Sequence, residues 1–321
     1  MKLYAEIKPT PIREDYAKFQ KNKPQNVGEI LKFDGVGEND VYNPSIPFKL
    51  DGMTIIAGRV ESRNNEISST MFFLEKDGVW SPIEDAPVFN LQDPFVTFVD
   101  DELILGGVYV DWADEKTITS WKTEFYRGTS IFSLEKFTTG PPHMKDIRLL
   151  QLTDSRIAVF SRPQGDAMIK KYGCIAKIGF TIVDKIEDVT ANVIENAPLL
   201  LDHFLDDEWG GCNQLFQLEN GLIGVIGHKS WGEHIGGVHF LHYYSMSFAI
   251  DPNTRKMTTT KIIGSRDCFP QGQTKQPRLQ DVTFTAGIVR NDDRTATLYT
   301  GLNDCQIGKL NILDPFIEYE G

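Results

Sequence analysis

The sequence predicts an all-β fold, a five-bladed β-propeller with a short N-terminal arm and few helical turns. Three observations lead there. Helical periodicity is confined to two stretches, near Ile12 to Lys21 and in the Leu199–Phe204 region. Elsewhere, short β-branched and aromatic runs alternate with Gly, Asn and Asp turns. One two-strand pattern also recurs five times along the chain.

The five copies open at Asn43 (NPSIPFKLDGMTIIAGRVES), Leu91 (LQDPFVTFVDDELILGGVYV), Lys145 (KDIRLLQLTDSRIAVFSRPQ), Gly211 (GCNQLFQLENGLIGVIGHKS) and Leu279 (LQDVTFTAGIVRNDDRTATLYTGLN). Each reads as two strands joined by a tight turn: LDG, VDDE, LTDS, LENG and RNDDR. Such residues tolerate the positive φ that hairpin turns demand. A further strand pair follows most copies, such as SSTMFFLEKDGVW and YYSMSFAIDPNTRKM. Units of roughly four strands repeated about an axis make a propeller; a β-sandwich with accidental similarity is the competing reading. Residues 1–40 form the arm and 41–321 the propeller, with long insertions expected around 110–123 and 228–242. Asp93 and Asp281 each follow Leu-Gln and open the innermost strands of units two and five, so both are expected at a central pocket.

The chain has 321 residues and a formal net charge of −12, from 45 acids against 33 bases. That field repels phosphate polymers, so nucleic acid is not an expected partner, and any bound anion needs a local nest of bases. The four cysteines, Cys174, Cys212, Cys268 and Cys305, are isolated and carry no CxxC. The N-terminus has no apolar stretch of signal-peptide length, and no run approaches a membrane span. A cytoplasmic enzyme with reduced thiols is the expectation. The arm and exposed edges offer surface for a homo-oligomer.

Several residues invite chemistry. Asp93 precedes Pro94, which favours an extended backbone, and Phe89, Phe95 and Phe98 could desolvate its carboxyl into a general acid. It also reads as a turn cap. Arg59, Glu61 and Arg63 alternate, so on a strand they share one face, either a polar ligand site or a surface ion pair. Lys145, Asp146, Arg148, Arg162 and Gln164 cluster in the third copy, and His228, Lys229, His234, His239, His242, Tyr243 and Tyr244 in the fourth. Arg162 and His228 occupy equivalent places past consecutive inner hairpins and could hold a phosphate as cationic donors. The histidine spacing matches no metal motif, so no metal is expected. Lys275 and Arg278 read as a solvated linker.

With these residues in view, the chain resembles the five-bladed β-propeller β-mannoside phosphorylases, and more closely their mannosyltransferase/phosphorylase branch, long described only as a domain of unknown function. The resemblance covers roughly residues 30 to 315 and rests on VYNPSIPF, AGRVESRNNEISS, LQDPFVTF, KDIRLLQLTDSRIAVFSRPQG, GHKSW and LQDVTFTAGIV…LYTGLNDCQIG. It implies Asp93 as the sole catalytic acid. It implies a sugar subsite from Asn43, Arg59 and Asp281, to which Glu61, Arg63 and Asp146 are added as polar neighbours. Arg162, His228, Lys229 and Tyr244 are the implied phosphate contacts. The phosphorylases usually carry Asp-Pro-Arg, whereas this chain has Asp93-Pro94-Phe95, which favours the transferase/phosphorylase branch.

The implied activity is an inverting phosphorylase or mannosyltransferase on β-1,2-linked mannosides, with inorganic phosphate or mannose 1-phosphate as co-substrate and no cofactor. Phosphate is already an anionic nucleophile, so one acid and a nest of bases suffice. A hydrolase on the same scaffold would need a second acid from Glu61, Glu124 or Asp281. A non-catalytic carbohydrate-binding propeller is the third reading.

Overall fold

The computed structural model describes residues 2–4, 8–201 and 203–320. Helix α1 (Ile12–Lys21) forms where the periodicity places it, with Glu14 and Asp15 in its first turn, where acids complement the exposed N–H groups. Strands β1 (Glu29–Ile30) and β2 (Lys32–Phe33) follow. Unit one comprises β3 (Asp40–Tyr42), β4 (Phe48–Leu50), β5 (Met53–Glu61), β6 (Ser68–Lys76) and β7 (Val79–Pro82). Unit two comprises β8 (Gln92–Val99), β9 (Glu102–Asp114), β10 (Thr117–Gly128) and β11 (Glu135–Thr139). Unit three comprises β12 (Arg148–Gln151), β13 (Ile157–Ser161), β14 (Ile178–Val183) and β15 (Leu199–Leu200), with α2 (Asp166–Tyr172) and α3 (Ala191–Glu195) in its connections. Unit four comprises β16 (Glu208–Gln217), β17 (Ile223–Ile235), β18 (Val238–Ile250) and β19 (Lys261–Gly264). Unit five comprises β20 (Asp281–Arg290), β21 (Thr295–Leu302) and β22 (Gln306–Leu313), followed by α4 (Ile317–Glu320).

Within units two to five, neighbouring strands pair antiparallel in chain order, and in unit one β3 and β4 both pair antiparallel with β5, which continues to β6 and β7. All five expected hairpin turns form, and their residues carry the positive φ that the turn needs: Asp51 at 50°, Asp100 at 50°, Ser155 at 68°, Gly221 at 83° and Arg294 at 69°. Inner strands touch in succession, β5 against β8, β8 against β12, β12 against β16 and β16 against β20. The ring closes where β21 and β22 meet β3. The two short strands near the arm reinforce that seam: β1 pairs with β22 of unit five, and β2 pairs with β7 of unit one. The seams are filled by apolar wedges. Leu91, Leu103 and Leu105 meet Ile55 and Phe72 between units one and two. Phe95, Ile104 and Phe125 meet Leu149 and Val159 between units two and three. Each such fully buried side chain contributes about 1.5–3 kcal/mol, so the ring is held by burial on both faces of its sheets.

Three expectations are corrected. The Leu199–Phe204 stretch is not helical: Leu199 and Leu200 pair with Gly179 and Ile178 at the edge of unit three, and tertiary pairing overrides the local pattern; Asp202 lies outside the described residues. The regions 110–123 and 228–242 are not inserted loops. They are continuations of the β9–β10 and β17–β18 hairpins, paired out to Asp114–Thr117 and Ile235–Val238.

The third correction concerns Lys229, expected among the phosphate contacts. Its ammonium is buried and holds α1 in place, 3.1 Å from Asp15, 3.2 Å from Glu208 and 2.6 Å from the Thr10 carbonyl oxygen. Three N–H donors therefore meet three protein acceptors, and none is left for an anion. The reason is strand alternation: on β17, residues 228 and 229 face opposite sides. Replacing Lys229 by Met should leave two buried carboxylates without their cation and cost about 3–5 kcal/mol. Urea unfolding measures the loss, and phosphate affinity of the folded variant should be unchanged.

Candidate active site

Asp93 sits in a β-bulge. Gln92 pairs with Val108 and Phe95 with Gly106, so Asp93 and Pro94 together oppose Gly107. Its φ is +50°, which corrects the extended backbone expected before proline. Asp tolerates this region better than most residues, and the bulge turns its side chain inward. The carboxyl is buried, and two donors fix it: Asn43 Nδ2 at 2.8 Å and Arg59 Nη1 at 3.0 Å. Both reach Oδ1, and among the described residues no hydrogen bond reaches Oδ2. Asn43, at φ +42°, lies so close to β21 that a Cβ at Gly301 would come within 1.9 Å of its Oδ1. Only glycine fits there.

Arg59 is the hub of this half. It donates through Nε to Glu61 Oε2 at 3.0 Å and to Ser68 Oγ at 2.9 Å, and its guanidinium lies 4.9 Å from the Tyr42 ring centre. Glu61 also accepts from Tyr42, Ser68 and Lys275. Burial opposes its charge, yet Arg59, Lys275, Ser68 and Tyr42 together hold it below the usual carboxylate range. Its lone pairs are thus filled by protein. Lys275, read from sequence as a linker residue, is buried here between Glu61 and Glu66, at 2.8 Å from the latter. The neighbouring Asp304 is pushed up to about 6, chiefly by burial, against the pull of Arg59 and with Asp93 and Glu66 adding to the rise. Sequence reasoning missed it. The available signal was the Asn303-Asp304 turn after β21, where both residues take positive φ, at 56° and 53°.

The second half gathers Asp146, Arg148, Arg162 and His228, all buried. Arg162 donates through Nε to the Gly210 carbonyl at 2.9 Å and through Nη1 to Gln164 at 2.6 Å, with Asp146 Oδ2 at 3.2 Å. Arg148 donates through Nε to the Asn213 carbonyl at 2.7 Å and through Nη1 to the Ile147 carbonyl at 3.0 Å. Among the described residues, neither Nη2 has a hydrogen-bond partner. The Arg148 guanidinium lies over the Phe95 ring at 4.0 Å and feels both Asp93 and Asp146, so it joins the two halves. Asp146 stays ionised: burial opposes its charge, but Arg162 and the surrounding bases hold it below the usual range.

His228 is corrected from a cation to a neutral ring. Burial drives its pKa down to about 3, with Arg162 also lowering it and only Asp146 opposing. Nδ1 lies 2.8 Å from Asn213 Oδ1, and Nε2 lies 3.9 Å from Asp146 Oδ2. The neutral ring therefore donates Nδ1–H to Asn213 Oδ1, and Nε2 is left as an acceptor beside Asp146.

Three expected residues lie apart. Tyr244 stacks on Tyr16 at 4.4 Å and donates to Asp281 Oδ2 at 2.9 Å, while its neighbour Tyr243 stacks on His228 at 5.6 Å. Alternation on β18 again decides between adjacent residues. Asp281 stands where β18 and β20 pair in parallel, held by Tyr244 and by His242 Nδ1 at 2.7 Å. The exposed Arg63 pairs with Asp40 at 2.8 Å and reaches Gln273 at 2.6 Å. The remaining histidines do not assemble: His234 and His239 stack on one another at the β17–β18 tip, and His242 lies between Asp281 and Glu233. All four cysteines are free and buried. No helix among the described residues is long and apolar enough to cross a membrane.

Comparisons with known proteins agree with this architecture. A search of curated sequences gives no match. The mannose phosphorylase MPT-4 of Leishmania mexicana, solved in complex with phosphate ion, is 38% identical, with a TM-score of 0.88 over 97% of this chain and 95% of that one. MPT-1 of the same organism, a GDP-Man-dependent mannosyltransferase, is 33% identical, with a TM-score of 0.87 over 97% of this chain and 96% of that one. The β-1,2-mannobiose phosphorylase of Listeria innocua shares the fold at 13% identity, with a TM-score of 0.60 over 93% and 94% of the two chains. The family described as "Protein of unknown function (DUF1861)" matches residues 17–318, and the chain, an all-β propeller, belongs to it.

Proposed function

We propose that the chain is an inverting mannoside phosphorylase and mannosyltransferase, moving a mannosyl group between phosphate and an acceptor sugar through mannose 1-phosphate, on β-1,2-linked mannosides. One observation carries the reading. Asp93 keeps Oδ2 free while two guanidiniums, Arg148 and Arg162, are each anchored through Nε and Nη1 with Nη2 left over. A rigid cationic pair seats an anion without closing around it. The mannose phosphorylase and mannosyltransferase among the relatives support the same chemistry.

In the phosphorolytic direction, a protonated Asp93 gives its Oδ2 proton to the glycosidic oxygen as that bond breaks. Phosphate held by Arg148 and Arg162, with its own O–H donated to His228 Nε2, attacks the anomeric carbon from the opposite face. In synthesis the same carboxylate takes the proton of the acceptor hydroxyl. Asn43 and Arg59 both donate to Oδ1 and so leave Oδ2 as the atom that exchanges the proton. Asp146 keeps Arg162 and His228 aligned and offsets part of their positive field, so phosphate is positioned without losing nucleophilicity. Phe95 stands where the phosphorylases usually carry arginine, and it supports Arg148 from unit three instead.

A specific observation also favours hydrolysis as a second reading. Glu61, Glu124 and Asp281 are each engaged by protein groups, but Asp304 stands in the field of Asp93, and burial pushes its carboxyl up to about 6. It could serve as the base for water.

Four measurements check these assignments. Asp93→Asn should lower phosphate release from mannose 1-phosphate plus mannose by at least about 10³-fold; retained turnover removes Asp93 from its role. Arg162→Ala should raise KM for phosphate by roughly tenfold or more while sparing the sugar KM. Mannobiose cleavage without phosphate would favour the Asp304 reading. Finally, the raised Asp304 value means that the folded state binds more protons than the unfolded one between about pH 4 and 6, so stability falls as pH rises through that window. Asp304→Asn should flatten that decline and raise stability at pH 7.5 by on the order of 2 kcal/mol.

A further inference from the structure

A second polar pocket, of about 490 Å³, opens beside the Asp93 mouth in the seam between units one and two. Its aromatic walls are Phe89, Tyr109 and Tyr126, and the Phe89 and Tyr126 rings meet edge to face at 4.8 Å. Glu124 is buried at its base. One carboxylate oxygen accepts from Tyr126 Oη at 2.7 Å and the other from Lys136 Nζ at 3.2 Å, with Lys122 Nζ at 3.9 Å. Among the described residues, two of its roughly four lone-pair positions have no hydrogen-bond partner.

The strand register fixes where this pocket lies. Glu124 on β10 pairs with Gly107 on β9, and Gly107 faces the bulge on β8 that carries Asp93. Two strand spacings put the backbones of Asp93 and Glu124 about 10 Å apart across the sheet. The segment Phe89–Asp93 runs from one site to the other, spanning at most about 14 Å. Chemistry narrows the ligand. Lys122 and Lys136 are balanced by Glu124 and Asp111, so the pocket is no anion trap. Half-buried aromatic faces beside carboxylate and ammonium groups suit a neutral sugar, whose C–H face packs on a ring while its hydroxyls find donors and acceptors at the edge.

We propose that this pocket is a distal subsite that binds further sugar residues of an oligosaccharide acceptor whose end lies at Asp93. The inference rests on the mannosyl-transfer reading for the identity of the sugar. It makes the enzyme selective for longer acceptors, with Tyr109 and Glu124 as specificity-determining residues.

The test titrates β-1,2-linked mannobiose and mannotetraose into Asp93→Asn protein by calorimetry, alone and with Tyr109→Ala or Glu124→Gln added. Tyr109 is half exposed, so its variant keeps the test alive if Glu124→Gln destabilises the fold. The expected result is tighter binding of the tetraose than of the biose, lost by roughly tenfold in each added variant while biose affinity holds. Equal binding of the two sugars, or tetraose binding that ignores Tyr109, overturns the subsite. Phosphate release from mannose 1-phosphate by the unmodified enzyme is scored separately. If the tetraose result holds but no phosphate is released, the subsite stands and the transfer reading falls. Release with no dependence on Tyr109 for long acceptors leaves transfer standing and rejects the subsite.

Discussion

The ion pair between Arg59 and Asp93 is the contact on which the site depends. Arg59 is buried, and so is the carboxylate it holds. A guanidinium out of water is tolerable only when its donors are filled, and here Asp93, Glu61, Ser68 and Glu66 fill them. Those partners come from unit one and the bulge that opens unit two. Lys275, from the segment before unit five, reaches the same carboxylates. The pair itself needs only units one and two, and ring closure adds Lys275 to the acids around it. In turn the pair fixes which oxygen of Asp93 is tied down and which is free.

Closure is reinforced from the chain's start. Residues 29–33 edge unit five with β1 and unit one with β2, across the seam where the last unit meets the first. Helix α1 then docks on unit four through the buried Lys229, Asp15 and Glu208. Its Tyr16 stacks on Tyr244, which donates to Asp281. A charge that looks like a ligand contact in the sequence thus works as a bolt between arm and ring, because its three donors are all consumed there.

The two halves of the site differ in electrostatic design. Around Asp93 the acids Glu61, Glu66, Asp304 and Asp93 are met by Arg59 and Lys275. Around Arg162 the balance reverses, with Arg148 and Arg162 against the single carboxylate Asp146 and a neutral His228. Positive field is thus concentrated on one side of the mouth of a protein whose net charge is −12. Burial does part of this work: it silences His228 and raises Asp304, so groups that titrate ordinarily in water are set to fixed or shifted states.

Sequence alone determined the all-β propeller, the five hairpins and helix α1. Each is a local matter, since period-two patterns, turn residues and one amphipathic stretch are written in adjacent positions. The repeat placed Asp93 and Asp281 alike at strand starts, and only the family resemblance grouped Asn43 and Arg59 with Asp93, the two residues that the structure sets on its Oδ1. Tertiary structure decided the rest. Whether residue 228 or 229, or 243 or 244, faces the site depends on a one-residue register that flips every side chain. Lys275 and Asp304 belong to segments more than 180 positions beyond Asp93 in the chain, and only ring closure brings them to it. The protonation of His228 follows from burial, a property of the packed molecule and not of any local run of letters.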